Sequence, residues 1–508
     1  MIPCRERMEI EYKFQIPPDR LAAVEEDLRQ GPVQPLRLRA RYFDTPDGAL
    51  AAQSIVLRLR QEGDRWVQTV KAPGCHPLER HEHNADLGQD AAAAPALPDL
   101  SRHEGTPAGR LLRLVLAHAG AGLVGTYGTD IQRLVRQVRQ GDALVALALD
   151  QGRVIAHAGT PDAVASEVCE LELELLDGPV GDLAALAAEW AGRHGLWFST
   201  LSKAERGQRL LAGRASGAAV HAAPLQLARG QDDGLALQRA MVANCLAQVL
   251  PNASEIAAGI EDGDLVHQLR VGLRRLRTAL RELDGLGAGA FDAGWTPPLV
   301  DAFRALGTLR DGAEVVQRFA SPLRDAGAPR VEIPAGAHAA PGAADVVRAP
   351  AFQRTLVALI GFAAGGGPAP AEPLGPQAAR RYLRHRLRRL HRAVVGAAQD
   401  FEGLDAAQQH RVRKRLKRLR YLAEFAASLF RARAAERYLA QLKPVQEALG
   451  SLNDTATAAA LYCDAAQSDP LAWFAAGWLE SQRPGCARAS RKALAALRRQ
   501  AEPFWRRR

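Results

Sequence analysis

The chain has 508 residues, 47% of them hydrophobic, enough for two or more domains with full cores. Its six cysteines (Cys4, Cys75, Cys169, Cys245, Cys463, Cys486) form no CxxC pair, which argues against a zinc site or a disulfide scaffold and fits a reduced, cytoplasmic setting. The net charge of +10 is uneven, with 25 Lys+Arg against 29 Asp+Glu in residues 1–220 and 41 against 27 in residues 221–508, so by bulk charge the second part is the one suited to a polyanion.

The opening MIPCRERMEIEYKF holds no apolar stretch of signal-peptide type. No run of about 18 apolar residues follows, so neither a secretory leader nor a membrane span is expected. Residues 1–210 read as strand-rich. The strand candidates are EIEYKF (9–14), RLRARYF (37–43), IVLRLRQ (55–61), RWVQTVKA (65–72), HEHNADL (81–87), DIQRLVRQV (130–138), ALVALALD (143–150), GRVIAHA (152–158) and SEVCELELELL (166–176). Turn signals at TPDG (45–48), EGD (62–64), RQGD (139–142) and DQG (150–152) separate many of them. Helices are predicted over 18–30, 105–119, 182–194 and 201–212. Many strands with few helices predict an α+β domain on an antiparallel sheet or barrel. The small-residue stretch AGRASGAAVHAAP (212–224) reads as a linker. Beyond it, residues 223–508 read as almost wholly helical, with Pro/Gly/Ala-rich stretches at 325–343 and 365–376 dividing them into two bundles. The expected domains are therefore 1–211 and 223–508, joined by 212–222, with repeats at about 223–325 and 376–508.

Successive side chains of a strand point to opposite faces. EIEYKF therefore groups Glu9, Glu11 and Lys13, and VLRLRQ groups Arg58 and Arg60 with Val56. RLRARYF puts Arg37, Arg39 and Arg41 in phase, and Lys71 ends another strand. CELELELL sets Glu170, Glu172 and Glu174 opposite Cys169, Leu171, Leu173 and Leu175. A solvated face of a half-exposed sheet would mix small polar residues with both charges. Here the acids sit on the first and last strands and the bases on the middle ones. If the sheet closes, the two acidic strands become neighbours around a lumen able to hold polar groups. Carboxylates facing Arg and Lys suit a metal–polyphosphate complex, because carboxylates hold Mg²⁺ or Mn²⁺ and guanidinium forks bind phosphate oxygens.

At these residues the sequence resembles the CYTH family, the triphosphate tunnel metalloenzymes. The family's ExExK signature is matched by Glu9, Glu11 and Lys13. The resemblance continues in order through RYFDTP (41–46), LRLR (57–60), TVK (69–71), RHEHN (80–84), TDIQR (129–133), ALDQG (148–152), CELELEL (169–175) and LSKAERG (201–207). It implies an eight-stranded antiparallel tunnel that hydrolyses or transfers triphosphate groups with Mg²⁺ or Mn²⁺. Carried over, Glu9, Glu11, Lys13, Lys71 and Lys203 are the implied catalytic residues. Lys13, Arg39, Arg58, Arg60, Lys71, Arg133 and Lys203 are the implied substrate binders. Glu9, Glu11, Glu170, Glu172 and Asp150 are the implied metal ligands, with Glu174 in phase but nearer the rim. Glu82 is either a further metal or water-positioning group or an ion-pair partner of Arg80. The histidines of HEH (81–83) point away from Glu82, and no Walker A, GxSxG or HExxH motif competes.

In the helical part, HQLRVGLRRLR (267–277) and HRVRKRLKRLR (410–420) share the pattern H-x-x-R-x-x-x-[RK]-R-x-R. Downstream, ALGTLRD (305–311) matches ALGSLND (448–454) at the same offset of 143, which marks an internal duplication. Helical spacing puts His267, Arg270, Arg274 and Arg277 on one face and Leu269, Leu273, Leu276 and Leu280 on the other. The twin sets His410, Arg413, Lys417 and Arg420 against Val412, Leu416 and Leu419. A third basic stretch, RRYLRHRLRRLHR (380–392), has a less regular stripe. These residues resemble the CHAD family, the conserved-histidine α-helical domain, over about 223–508. The family consists of two four-helix bundles with pseudo-two-fold symmetry that bind inorganic polyphosphate. The implied polyphosphate-binding residues are His267, Arg270, Arg274, Arg275, Arg277, His410, Arg413, Lys414, Lys417, Arg418 and Arg420, supported by Tyr421 and Asp454.

Together these resemblances imply a cytoplasmic, metal-dependent inorganic triphosphatase that splits tripolyphosphate into diphosphate and phosphate. Its helical domain would bind polyphosphate and associate with polyphosphate granules. Two alternatives stay open: a hydrolase or cyclase of another triphosphate, such as thiamine triphosphate or ATP, and a non-catalytic polyphosphate-binding scaffold. Nucleic acid is the rival polyanion. The basic stripes lack interleaved aromatics for base stacking, and aromatics are 5% of the chain, which argues against it.

Overall fold

The computed structural model describes residues 7–8, 10–74, 80–88, 97–227, 230, 232–308, 311–331, 342–367 and 372–506. It divides into two compact units. One comprises Met1–His221, Leu246–Gln268 and Val347–Gly367; the other comprises Ala222–Cys245, Leu269–Val346 and Pro368–Arg508.

The first unit is built on antiparallel strands β1 (Arg7–Met8), β2 (Glu11–Gln15), β3 (Gln34–Asp44), β4 (Val56–Glu62), β5 (Arg65–Pro73), β6 (Arg80–Gly88), β7 (Val124–Gln140), β8 (Ala143–Ala156), β9 (Val164–Asp177) and β10 (Trp197–Phe198). Their hydrogen-bonded order is β1-β6-β5-β4-β3-β7-β8-β9-β2-β10. Only two residues of the chain separate β1 from β2, yet β1 pairs with β6 and β2 pairs with β9, towards opposite ends of that order. The sheet therefore closes into a tunnel. Glu11, Lys13 and Gln15 lie in register with Glu174, Glu172 and Glu170, so the two acidic strands are neighbours as closure requires. Glu9 lies outside the described residues.

Helices α1 (Leu21–Leu28), α2 (Ala49–Ala52), α3 (Pro107–Ala119), α4 (Val180–His194) and α5 (Lys203–Leu211) flank the sheet. The outward residues Phe43, Leu57, Leu59, Trp66 and Val70 form a core with Leu50 of α2 and Leu112 of α3. The DQG stretch is not a turn. β8 runs straight through it, because Gly152 brings its backbone so close to β7 that a Cβ there would lie 2.2 Å from the Asp130 carbonyl oxygen. Asp150 consequently sits in mid-strand, fully buried.

Ten further helices are described: α6 (Gly234–Ala257), α7 (Gly263–Leu283), α8 (Thr296–Thr308), α9 (Asp311–Asp325), α10 (Ala343–Arg348), α11 (Pro350–Ala363), α12 (Pro376–Val395), α13 (Ala406–Ala426), α14 (Ala432–Ala465) and α15 (Ala472–Gln500). Helix α11 belongs to the first unit and packs on α4. Tyr12 Oη, on the outer face of β2, donates to the Val357 carbonyl at 3.0 Å, and the Phe198 N–H donates to Gln353 Oε1 at 2.8 Å. Gly361 permits this approach, since a Cβ there would lie 2.7 Å from Ala184.

The second unit is all-helical among the described residues. The leucines Leu269, Leu273, Leu276 and Leu280 of α7 are buried, as are Val412, Leu416 and Leu419 of α13. A fully buried carboxylate, Glu282, binds Arg386 of α12 at 2.5 Å and Arg418 of α13 at 3.4 Å. Among the described residues, no helix is long and apolar enough to cross a membrane.

In the first unit, Asp27 of α1 accepts from Arg193 at 2.6 Å and lies 3.0 Å from His194 Nε2, both on α4. Burial works to raise the Asp27 carboxyl, but the hydrogen bonds and charges of these partners outweigh it and hold the group below its usual range. A depressed carboxyl contributes stability above its unfolded pKa and loses it as pH falls through the folded value. Asp27→Asn should therefore cost about 1–3 kcal/mol at pH 7. In urea titrations the gap to wild type should close as pH falls below about 4; a gap that does not depend on pH would overturn this account.

Candidate active site

The tunnel of the first unit encloses a cavity of about 650 Å³. One wall is acidic. β2 contributes Glu11 and Lys13, β9 contributes Glu172 and Glu174, and β8 sets Asp150 beside Glu170 in register. Lys203, the first residue of α5, reaches into this wall. Its Nζ lies 2.5 Å from Glu170, 2.6 Å from Asp150 and 3.1 Å from Glu172. Arg133 of β7 binds Asp150 with both arms at 2.6 Å and Glu172 at 2.5 Å. Lys13 lies 3.3 Å from Glu172. Ser202 caps α5 by accepting from the Glu205 N–H. Gly207 lets α5 dock, since a Cβ there would strike the Tyr127 ring at 2.2 Å.

Burial alone would discharge these groups; their mutual charges win. Burial works to lower the Lys203 ammonium, but Glu170, Glu172 and Asp150 drive it well above its usual range. Burial works to raise Glu172, yet Lys203, Lys13 and Arg133 hold it well below the carboxylate range. Arg133 is likewise raised against burial by Glu172 and Asp150.

The facing wall is basic. Arg58 and Arg60 of β4 and Lys71 of β5 line it, with Glu82 of β6 pairing Lys71 at 2.8 Å. Asn84 donates to Glu82 at 3.0 Å. Arg60 is pushed down by burial and then by the charges of Arg58 and Arg133, against the pull of Glu62. Burial works to raise the Tyr42 phenol, but the charge and hydrogen bond of Arg58 turn its net shift downward. Both shifts report a surplus of positive potential on this side.

The structure brings together Glu11, Lys13, Arg58, Arg60, Lys71, Arg133, Asp150, Glu170, Glu172 and Lys203. Arg39 is a correction. The inward face of β3 carries Leu38 and Tyr42, so Arg39 faces outward, half-exposed, 3.9 Å from Asp130. The Arg80 side chain, the alternative partner of Glu82, lies outside the described residues. Glu174 lines the cavity beside Glu11, and Tyr42, Asn84 and Thr129 also line it. Their strand phase is the signal that marks them, since each alternates with a buried apolar or outward neighbour. His83 turns outward as expected, its Nδ1 lying 2.8 Å from Nδ1 of His103.

Asp150, Glu170 and Glu172 each offer an oxygen within 4.8 Å of the other two. An oxygen-only donor set is what hard divalent cations take, so these residues suit a cation of that class.

In the second unit, Arg270, Arg274 and Arg277 of α7 gather on the Phe303 ring, with centroid distances of 5.2, 5.2 and 5.3 Å. Lys417 is lowered to about 6, first by burial and then by Arg274 and Arg413; Asp454 opposes this and Arg270 adds to it. The two basic helices therefore converge. Asp454 is itself paired with Arg318. Arg275 is a second correction. It is 2% exposed, donates to Asn244 at 2.7 Å and lies over the Phe425 ring, so it is a core residue. Arg418 turns to Glu282, and Arg420 binds Glu424 at 2.7 Å. Lys414 is exposed, and His410 lies 3.2 Å from Asn453 Oδ1. His267 is exposed on α7.

A family model described as CYTH domain matches residues 7–208, and one described as CHAD domain matches residues 240–462. The chain is a CYTH–CHAD protein. An inorganic triphosphatase of Haemophilus influenzae is 30% identical over 183 residues, which are 35% of this chain and 47% of that relative. The match thus spans about half of the relative's length. The CHAD domain of the plant Ricinus communis aligns at 27% identity and a TM-score of 0.43, covering 56% of this chain and 98% of that one. A candidate adenylyl cyclase from Hippeastrum that reveals a dominant triphosphatase activity aligns at 21% identity and a TM-score of 0.30, covering 41% and 97%.

Within the CYTH domain, Lys203 is the cation shared by the three clustered carboxylates. Lys203→Met leaves them facing one another and should cost about 3–5 kcal/mol. In thermal melts, Mg²⁺ should raise the midpoint of this variant more than that of wild type. No Mg²⁺-dependent shift in either protein would mean that the carboxylate cluster does not take a cation.

Proposed function

We propose that the CYTH domain hydrolyses inorganic triphosphate to diphosphate and phosphate with Mg²⁺ or Mn²⁺. The observation that carries this reading is the segregation of charge inside one cavity. Arg58 and Arg60 make one wall strongly positive, and carboxylates crowd the other. A triphosphate presents dense negative charge to the first wall, which relieves the repulsion that depresses Arg60. A divalent cation held by Glu9, Glu11, Glu172, Glu170 and Asp150 would, when bound, neutralise phosphate charge and acidify a water.

The rest falls to the chain itself. Hydrolysis adds the oxygen of water to a terminal phosphorus and breaks the bridging P–O bond, so phosphate and diphosphate leave. Phosphoryl transfer of this kind needs positioning and charge stabilisation more than covalent chemistry. Arg58, Arg60 and Lys71 grip the phosphate oxygens. Lys13 and Lys203, kept charged by their carboxylates, neutralise the leaving diphosphate. Glu11 and Glu174 are cavity carboxylates able to accept the proton of water.

The test is phosphate release from tripolyphosphate with Mg²⁺ or Mn²⁺. Glu9→Gln/Glu11→Gln should abolish turnover, and Arg58→Ala should lower kcat/KM about 100-fold or more. Arg39→Ala should stay close to wild type, because it faces outward. Tyr42 lines the cavity, so thiamine triphosphate and ATP belong in the same panel. No turnover of tripolyphosphate by wild type would sink this reading.

We further propose that the CHAD domain binds inorganic polyphosphate, in preference to nucleic acid, on the converging faces of α7 and α13. The supporting observation is Lys417, crowded by Arg274, Arg413 and Arg270 with Asp454 as the opposing charge. A polyanion there restores the proton that crowding expels. Binding should therefore take up about one proton per site near pH 8, and affinity should fall as pH rises above about 6, the value Lys417 holds when free. Calorimetry in buffers of different ionisation enthalpy reads this uptake. Lys417→Met should abolish it; unchanged uptake would remove Lys417 from the site.

A further inference from the structure

The second unit holds another cavity, of about 410 Å³, between α12 and the turn after α15. Arg388, His391 and Arg392 line it from α12, and Pro503, Trp505 and Arg506 close it. Spacing of i, i+3 and i+4 puts the first three on one face of the helix. They come from the third basic stretch of the sequence, which the duplicated helices leave unexplained.

The floor of this cavity is a packed aromatic cluster. His391 Nδ1 lies 2.9 Å from the Tyr438 hydroxyl of α14. Trp505 crosses Tyr438 edge-on at 4.8 Å, and Phe504 packs against both rings at 5.0 and 5.7 Å. Tyr438 and Trp505 are buried, while Arg388, Arg392 and Arg506 stand exposed around them.

Elsewhere in this unit arginines face acids. Arg380 meets Asp232, Arg386 and Arg418 meet Glu282, and Arg420 meets Glu424. Arg388, Arg392 and Arg506 have no such carboxylate among the described residues. His391 is pushed down to about 4 by burial and by Arg506, so it is neutral at pH 7 and adds a polar ring without a charge.

We propose that this cavity is an anion site that takes a phosphate group, held by the guanidinium forks of Arg388, Arg392 and Arg506. A carboxylate offers one charge and two oxygens, which one fork satisfies. A phosphate offers about −1.5 to −2 charges and three oxygens, which matches several forks at once. The group can come from free phosphate or diphosphate, or from the end of a polyphosphate chain.

The test is equilibrium dialysis of the full chain with labelled orthophosphate, diphosphate and long-chain polyphosphate. The variant is Arg388→Gln/Arg392→Gln, and its thermal midpoint checks the fold. Arg381→Gln/Arg389→Gln is the control, because it removes the same charge from exposed positions of α12 outside the cavity. Loss of one orthophosphate or diphosphate equivalent in the first variant alone assigns free phosphate. At least tenfold weaker polyphosphate binding in the first variant alone assigns the chain end. Equal binding by wild type and variant, or equal loss in variant and control, overturns the site. Binding is read directly, so the absence of triphosphate hydrolysis would leave the result intact.

Discussion

The tunnel depends on one buried ammonium. Lys203 touches Asp150, Glu170 and Glu172, and two of those carboxylates are shared with Arg133. Each of these charges is costly to bury alone, and removing any one leaves the rest uncompensated. The cluster ties the N-terminus of α5 to β7, β8 and β9. Closure of the sheet then brings Lys13 of β2 to the same carboxylates. What reads as a strip of acids in the sequence is therefore an ion network whose cations come from three separate segments.

Much of this was legible from alternation. The shared faces of Glu11 with Lys13, of Arg58 with Arg60 and of Glu170 with Glu172 follow from period-two phase, whereas closure of the sheet and the turn of these faces into the lumen are implied by the CYTH resemblance. Phase has a limit, shown by β3. Arg37, Arg39 and Arg41 are in step with one another, but nothing local says which face meets the lumen. The partners decide: Asp130 on β7 draws Arg37 and Arg39 outward, and Leu38 and Tyr42 turn in. The DQG stretch misled for a similar reason. Asp and Gly signal a turn, whereas here the glycine serves the close approach of β8 to β7. In the helices, cations adjacent in sequence point in different directions around the cylinder. Separating Arg275 from Arg274 requires knowing where Asn244 and Phe425 lie.

The direction of each shift sorts the cations by role. Lys203 and Arg133 are raised, because acids of the chain already satisfy them. Arg60 and Lys417 are lowered, because burial and like charge surround them. The first kind holds the fold together. The second kind stores repulsion that an incoming anion relieves, so part of the binding free energy of a phosphate comes from strain already present. By their partner rather than by any shift, Arg386 and Arg418, which share the buried Glu282, stand apart from the stripe of Arg270, Arg274, Arg413 and Lys417.

The inward phase of β2 is also held from outside. Tyr12 lies between Glu11 and Lys13, and its ring packs with Phe14 and Phe198 on the outer face. Its hydroxyl is fixed to Val357 of α11. A slip of one residue would send Tyr12 and Phe14 into the lumen and Glu11 and Lys13 out of it. Burying the aromatics against α11 and α4 therefore also aims the charged residues. The CHAD match at 240–462 includes α11, yet in packing that helix belongs with the tunnel. Order along the chain and order in packing differ here, and the strand with the ExExK signature is where the difference acts on the site.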